Sequence, residues 1–109
     1  MRMWMIDPKY LCRNHLLGEH NELHKFRPSF EKKHNMNNRI LSNQIEPLSM
    51  KIRHDELVVE MLRRGYNHKS TYEMPDVSYI DESLLSLKVD HRMSEVDLRE
   101  RCDKCFNNL

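Results

Sequence analysis

Two segments of this sequence repeat apolar side chains at the spacing of an α-helix, and few residues interrupt them. One segment covers residues 11–26 and the other covers residues 49–64. The chain of 109 residues holds only 2 Gly and 4 Pro, whereas an all-β protein needs many more of these residues for its turns. The sequence therefore predicts an all-α fold, a single compact domain over residues 1–109 with about three main helices and irregular connections.

The first helix has a clear start signal and a clear break signal. Asp7 can cap free backbone amides, and Pro8 loses no hydrogen bond at a first helical position. Pro28 predicts an end or a kink near residues 26–27, and the polar residues 31–38 are expected to form a loop. The residues expected on the inner face are Cys12, Leu16, Leu23, Phe26 and Phe30, with Glu19 interrupting them.

The second helix is predicted from about Ser49 to Arg64. Arginines near its end interact favourably with the negative pole of the helix dipole, and Gly65 suits the position that follows a helix. Residues 66–75 are expected to form an exposed connection. The residues expected on the inner face of this helix are Met50, Leu57, Val58, Met61 and Leu62.

The last third of the chain gives weaker signals. Residues 83–87 predict either a short helix or an extended packing segment. Ser94 followed by Asp97 resembles a capping box, so we expect a final helix from about Glu95 to Phe106. The residues expected to form its buried stripe are Leu98, Cys102, Cys105 and Leu109.

Composition restricts the compartment and the partners. The sequence has no apolar run long enough to span a membrane, and its start lacks the pattern of a signal peptide. Three cysteines fit reduced thiols better than a disulfide framework, so we expect a cytoplasmic protein. Residues 1–39 carry 8 Lys and Arg against 4 Asp and Glu, while residues 70–109 carry 5 against 9. A basic front of this kind favours an anionic partner such as a phosphate backbone.

Two histidines raise the question of a metal. His20 and His24 are one helical turn apart, a spacing that can hold zinc, but the sequence lacks the zinc-protease pattern because its Glu stands in the middle position. A third ligand could come from residues 102–105, which contain a Cys-x-x-Cys, or from the acidic stretch. The alternatives are solvated or DNA-facing imidazoles and cysteines that belong to the core. We expect no metal and no cofactor.

The start of the chain offers a different chemistry. The α-amine of Met1 has an ordinary pKa of about 7.7–8.0, so part of it is neutral and nucleophilic near neutral pH. Glu22 shares a helical face with His15 and Glu19. An amine held beside a carboxylate is the minimum requirement for imine chemistry on an aldehyde or a sugar C1′. The alternative is a solvated face with three polar side chains.

Two motifs carry a family resemblance. Residues 15–23, HLLGEHNEL, resemble the His-Leu-x-x-Glu-x-x-Glu-Leu helix of the pyrimidine-dimer DNA glycosylases with AP-lyase activity, the phage endonuclease V type. Residues 56–69, which end in RGYNHK, are similar to the second helix of that family and its Arg-Gly-aromatic-Asn-x-Lys ending. Arg2 matches the basic residue beside the family's N-terminal nucleophile. The resemblance covers about the first two-thirds of the chain.

The resemblance implies a helical fold in which the N-terminal segment packs between helices. It also implies that an N-terminal α-amine attacks C1′ of a damaged nucleotide and forms an imine, and that a glutamate assists sugar opening and β-elimination. By position Met1 supplies the amine, since the bulky Arg2 prevents removal of the initiator Met, and Glu22 is the glutamate. The substrate would be double-stranded DNA with a pyrimidine dimer or an abasic site. The expected DNA contacts are Arg2, Arg13, His15, Asn21 and Lys25.

An alternative function follows from the departures. Asn21 and Lys25 stand where the family has arginines, and the chain lacks the family's aromatic, basic C-terminal tail. The alternative is a non-enzymatic module on the same fold, which binds DNA or binds a protein through the acidic C-terminal region.

Overall fold

A computed structural model describes residues 2–68 and 71–109 of the chain. Asp7 starts a separate 3-10 turn, Pro8–Tyr10, because its carboxylate accepts a hydrogen bond from the amide of Lys9. Helix α1, Arg13–Glu31, begins only after Cys12. The sequence predicted that α1 starts at Asp7, but Asp7 caps the short turn that leads into α1.

Helix α1 continues past Pro28, so the predicted end near residues 26–27 is wrong. Phe26 and Phe30 lie on either side of Pro28 in sequence, and both are fully buried. Burying two aromatic side chains on one face outweighs the hydrogen bond that proline removes from a helix. In the turn that precedes Pro28, the hydroxyl of Tyr72 also donates to the carbonyl of Leu23 at 3.0 Å.

The middle of the chain follows the prediction closely up to Gly65, but the connection that was expected to be exposed contains Tyr72, which is buried. A short helix α2, Asn37–Leu41, begins at the end of the expected loop, and a 3-10 turn, Pro47–Ser49, leads into α3, Met50–Arg63. Gly65 follows with a φ of +85°, which confirms its role after the helix end. Of the expected inner face, Met50, Leu57 and Met61 are buried, Val58 is half-buried, and Leu62 is exposed. Helices α1 and α3 pack against each other.

The C-terminal third forms three helices: α4, Glu82–Leu85, then α5, His91–Arg101, and α6, Asp103–Phe106. The capping residue of α5 is Asp90, which accepts from two amides of the first turn, so the predicted cap at Ser94 is wrong. Ser94 is instead fully buried within α5. The expected single final helix is broken at Cys102, whose backbone is extended at φ −140° and ψ 108°.

The N-terminal segment lies between the helices. Met3, Trp4 and Ile6 are buried, and the amide of Met3 donates to the carbonyl of Gln44 at 2.7 Å. The described residues contain six α-helices, three of them long, and no strand, which confirms the all-α prediction. None of the helices in residues 2–68 and 71–109 is long and apolar enough to cross a membrane.

Candidate active site

A cavity of about 300 Å³ opens where the N-terminal segment, the first half of α1 and the end of α5 meet. It brings together Arg2, His15 and Glu22, three of the residues predicted from the sequence. The cavity is lined by Arg2, Trp4, Asn14, His15, Gly18, Glu19, Glu22 and Arg101. A second, larger cavity of about 420 Å³ is lined by Asp7, Glu56 and Glu60, and this acidic lining disfavours a phosphate backbone.

Glu22 lines the smaller cavity, and its two carboxylate oxygens have different surroundings. Its side chain is about one-quarter exposed, and Oε1 lies 4.0 Å from Nζ of Lys25. The other oxygen, Oε2, is buried and has no hydrogen-bond partner among the residues that the structure describes. Because buried polar atoms are normally paired, such an oxygen is suited to accept a hydrogen bond or a proton from a bound molecule.

Glu19 has a different role one turn away. It is buried and forms a bidentate ion pair with Arg53, with Nε to Oε2 at 2.5 Å and Nη2 to Oε1 at 2.9 Å. Arg53 also donates to the carbonyl of Ile6 at 2.7 Å. Burial raises the pKa of the Glu19 carboxyl, but the bidentate contact with a permanent cation holds it ionised. The pair joins α1 and α3 to the N-terminal segment, and so fixes the wall that carries Glu22.

Arg2 is held by the protein itself. Its Nη1 lies 2.7 Å from Oδ2 of Asp97, its Nη2 donates to the hydroxyl of Ser94 at 3.3 Å, and its guanidinium lies 4.1 Å from the centre of the Trp4 ring. These contacts tie the start of the chain to α5. They also leave Arg2 less available for DNA than the sequence predicts.

The family model described as pyrimidine dimer DNA glycosylase matches residues 1–74. The chain belongs to this family. It is therefore a DNA repair glycosylase with DNA as its substrate. No curated protein and no solved structure matches the chain. Within the glycosylase, the matched region supplies every residue that lines the cavity except Arg101, which extends from α5.

The remaining predicted site residues are spread around the glycosylase cavity. Lys25 and Asn21 are exposed near Glu22, although neither lines the cavity. Arg13 lies apart, with its guanidinium 5.5 Å from the centre of the Tyr66 ring. Met1, the predicted nucleophile, and Lys69 of the second motif lie outside the described residues.

Among the contributors to the candidate site that sequence reasoning missed, two are informative. Arg101 comes from a distant part of the chain, and no local pattern indicates that it returns to α1. The ion pair of Glu19 and Arg53 did leave a signal, because Glu19 interrupts an apolar helix face. A charge in such a position must be paired if it is buried.

Among the described residues, two clusters of side chains could bind a metal ion, and His15 of the first cluster also lines the cavity. One consists of Cys12, His15, Cys102 and Cys105, and the other of His20, His24, His54 and His68. Within each cluster, all the ligand atoms lie within 4.8 Å of one another. The sequence-based option that joined His20 and His24 to the cysteines is wrong, since the cysteines surround His15 instead.

Burial affects the protonation of both clusters. Burial, followed by the charges of neighbouring histidines, lowers the pKa of His20 to about 4. Burial also lowers the pKa of His15, whose Nδ1 lies 3.2 Å from Sγ of Cys12. Burial raises the pKa of the Cys105 thiol to about 12. His20 is therefore neutral near pH 7, and its ring can act as an acceptor or a ligand.

Proposed function

We propose that this glycosylase is also an AP lyase, which acts on pyrimidine-dimer or abasic DNA through an imine to the α-amine of Met1. The observation that carries the proposal is the position of Arg2 and Glu22 on the walls of one cavity. Since Met1 is joined directly to Arg2, the chain places its amine one peptide unit from a residue of that cavity. An amine and a carboxylate are the two groups that the chemistry requires.

The proposed reaction divides into two steps. In the first, the neutral α-amine attacks C1′, the bond from C1′ to the base breaks, and the base leaves with the electron pair. The attached nitrogen then loses a proton, and its lone pair forms the C=N bond while the C1′–O4′ electrons move to O4′. O4′ takes up the proton, and the product is a protonated imine. In the second step, a base removes a proton from C2′, and the 3′ phosphate leaves by β-elimination.

Glu22 is suited to both proton transfers. Glu22 lines the cavity, and its Oε2 has no hydrogen-bond partner among the described residues, so the carboxylate can take up a proton without first losing a contact at that oxygen. A carboxylate at this position also stabilises the cationic sugar that develops as the base leaves. The volume of about 300 Å³ fits a sugar rather than a whole dimer, so the damaged nucleotide must be partly extruded from the duplex.

Reduction with borohydride tests the imine. Protein mixed with an abasic duplex and borohydride should form a covalent adduct, and peptide mapping should place the DNA on Met1. An intact duplex of the same sequence is the control and should give no adduct. Acetylation of the α-amine should abolish trapping. If the folded protein binds the abasic duplex and is never trapped, the imine mechanism is excluded.

Glu22→Gln tests the role of the carboxylate. The variant should still be trapped on abasic DNA, but strand cleavage should fall by at least about 100-fold, since general acid–base groups contribute roughly 10²–10⁴ in rate. Glu31→Gln is a matched control, because Glu31 lies on the same helix and pairs with Arg27 at 2.7 Å. Equal cleavage by both variants would remove Glu22 from the mechanism.

One observation favours the second candidate, a binding module without catalysis. The Arg2 guanidinium is committed to Asp97 and to the Trp4 ring, so this cation is not displayed for a phosphate. In this case the chain would be a member of the family that has lost catalysis, and it would bind DNA without Arg2 or bind a protein through its acidic C-terminal region. DNA affinity that falls steeply with salt supports phosphate contact. Absent DNA binding beside a stable protein complex would support the second candidate.

A further inference from the structure

We propose that Cys12, His15, Cys102 and Cys105 bind a structural zinc ion that fastens the C-terminal helices to the start of α1. Sequence analysis predicts no metal, so the argument rests on the arrangement of these side chains. The zinc proposal does not depend on the lyase mechanism.

The distances match a tetrahedral site. With Zn–S bonds of about 2.3 Å and Zn–N bonds of about 2.0–2.1 Å, two sulfur ligands lie about 3.8 Å apart, and a sulfur and a nitrogen about 3.5 Å apart. The Sγ atoms of Cys12 and Cys102 are 3.8 Å apart. Nδ1 of His15 lies 3.2 Å from Sγ of Cys12 and 3.5 Å from Sγ of Cys105.

The backbone supports the same interpretation. Cys12 and His15 form a Cys-x-x-His across the start of α1, and Cys102 and Cys105 form a Cys-x-x-Cys across the break between α5 and α6. This spacing is typical of zinc ligands. The amide of Cys12 donates to Sγ of Cys105 at 3.2 Å, and the amide of Cys105 donates to Sγ of Cys102 at 3.5 Å. Hydrogen bonds of this kind orient the sulfur atoms, as contacts around the ligands of a metal centre commonly do.

Two alternatives explain less of the geometry. A disulfide requires an S–S bond of about 2.05 Å and uses two cysteines, leaving the third cysteine and His15 without a role. Ordinary core cysteines explain the burial of Cys105, but not the convergence of an imidazole nitrogen on the sulfurs. Four convergent ligands fit a closed site, and a closed site is structural rather than catalytic.

The zinc site changes the role of His15. Sequence analysis places His15 among the DNA contacts, whereas its Nδ1 faces the sulfurs and its ring lies edge-on to Trp4, with 5.5 Å between centroids. His15 also lines the cavity. The metal would therefore fix one wall of the cavity, and hold the end of α5, with Arg101, over the other side.

A different set of observations points to a second zinc ion, bound by His20, His24, His54 and His68. Nε2 of His20 lies 2.8 Å from Nε2 of His68. The Nε2 atoms of His24 and His54 are buried and have no hydrogen-bond partner among the described residues. His54 is only 2% exposed, so its unpaired nitrogen is otherwise costly. Tetrahedral zinc would accept all four imidazole nitrogens.

The surroundings of His54 fit a metal ligand. Its Nδ1 lies 3.0 Å from a carboxylate oxygen of Asp55, which leaves Nε2 directed at the other imidazoles. A carboxylate on the far nitrogen is the usual partner of a histidine that binds zinc, because it fixes the tautomer and the ring. Tyr72 stacks on His54 with 4.9 Å between centroids and shields the cluster from one side.

Metal analysis and cobalt substitution test both sites on the full-length protein. Protein from zinc-supplemented medium should keep two zinc ions per chain after dialysis. Replacement by cobalt should give the intense visible bands of tetrahedral Co²⁺, and the first site should add a near-ultraviolet charge-transfer band from its thiolates. This readout on the unaltered protein does not depend on how well any variant folds.

Complementary variants then assign the ions. Cys102→Ser should lose one zinc ion and the thiolate band, while His54→Gln should lose one zinc ion and keep the band. The matched control is His34→Gln, because His34 is exposed and outside both clusters, and it should keep both ions. One zinc ion with the thiolate band would overturn the histidine site only. One zinc ion without that band would overturn the cysteine site, and no bound metal would overturn both.

Discussion

The two sides of the cavity are held in place by ion pairs that differ in how deeply they are buried. The wall built from residues within 2–68 depends on Glu19 and Arg53, whose side chains are at most 1% exposed. The wall contributed by α5 depends on Arg2 and Asp97, whose side chains are 19% and 28% exposed. A buried bidentate pair fixes distance and angle, whereas a pair near solvent is weaker and adjustable. The side of the cavity that carries Glu22 is therefore held more firmly than the side that α5 contributes.

Breaking the buried pair should have the largest effect. Arg53→Ala leaves Glu19 charged in the interior, and we expect a loss of about 3–5 kcal/mol in the free energy of unfolding. Urea unfolding measures this loss. Arg99→Ala is the control on the other side, because Arg99 meets Glu95 at 2.9 Å with both side chains about two-fifths exposed. It should cost less than about 1 kcal/mol, and similar losses for the two variants would refute the contrast.

Glu60 provides a pH-dependent test on the rigid side. Hydrogen bonds from Arg63 and then Arg64 lower the pKa of Glu60 to about 2. Arg64 in turn donates to the carbonyl of Leu11 at 2.7 Å, so the pair of Glu60 and Arg64 holds the chain just before α1. Glu60→Gln should cost about 2 kcal/mol of stability at pH 7.

The sign of the pH effect follows from the lowered pKa. The contribution of Glu60 is complete above its unfolded pKa of about 4.3, and is lost as the pH falls toward 2. Unfolding of the native protein and of Glu60→Gln should therefore differ fully at pH 7 and converge near pH 2. A difference that stays constant over this range would show that the carboxylate charge is not responsible.

A cap on the adjustable side should have the smallest effect. The Asp90 carboxylate accepts hydrogen bonds from the amides of Arg92 and Met93 at the start of α5. Asp90→Ala should cost about 1 kcal/mol, as is usual for an N-cap. Asp81→Ala, at the cap of the four-residue α4, should cost less because that helix packs little of the core. Thermal unfolding of the two variants measures the difference.

Local signals in the sequence were sufficient for α3. Its apolar spacing and Gly65 are both properties of neighbouring residues, and the observed helix begins one residue after the expected start and ends one residue before the expected end. Pro28 was misleading because burial of Phe26 and Phe30 is a tertiary effect, and it outweighs a local preference. The break at Cys102 could not be predicted from local sequence either, because it depends on contacts with residues near the start of the chain.

The site was predictable to the extent that it lies in one motif. Glu22 and His15 follow from the spacing within α1 and from the family resemblance, and both line the cavity. Arg101 could not be predicted, because its approach depends on how α5 packs. The four histidines come from three separate segments, and only the pair within α1 has a recognisable spacing.

Arg101 reaches the cavity from beyond residue 74, where the family match ends. Under the proposed mechanism, the reacting groups and one rim of the cavity would thus come from different portions of the chain. Replacement of the C-terminal helices would then alter that rim and leave the reacting groups in place.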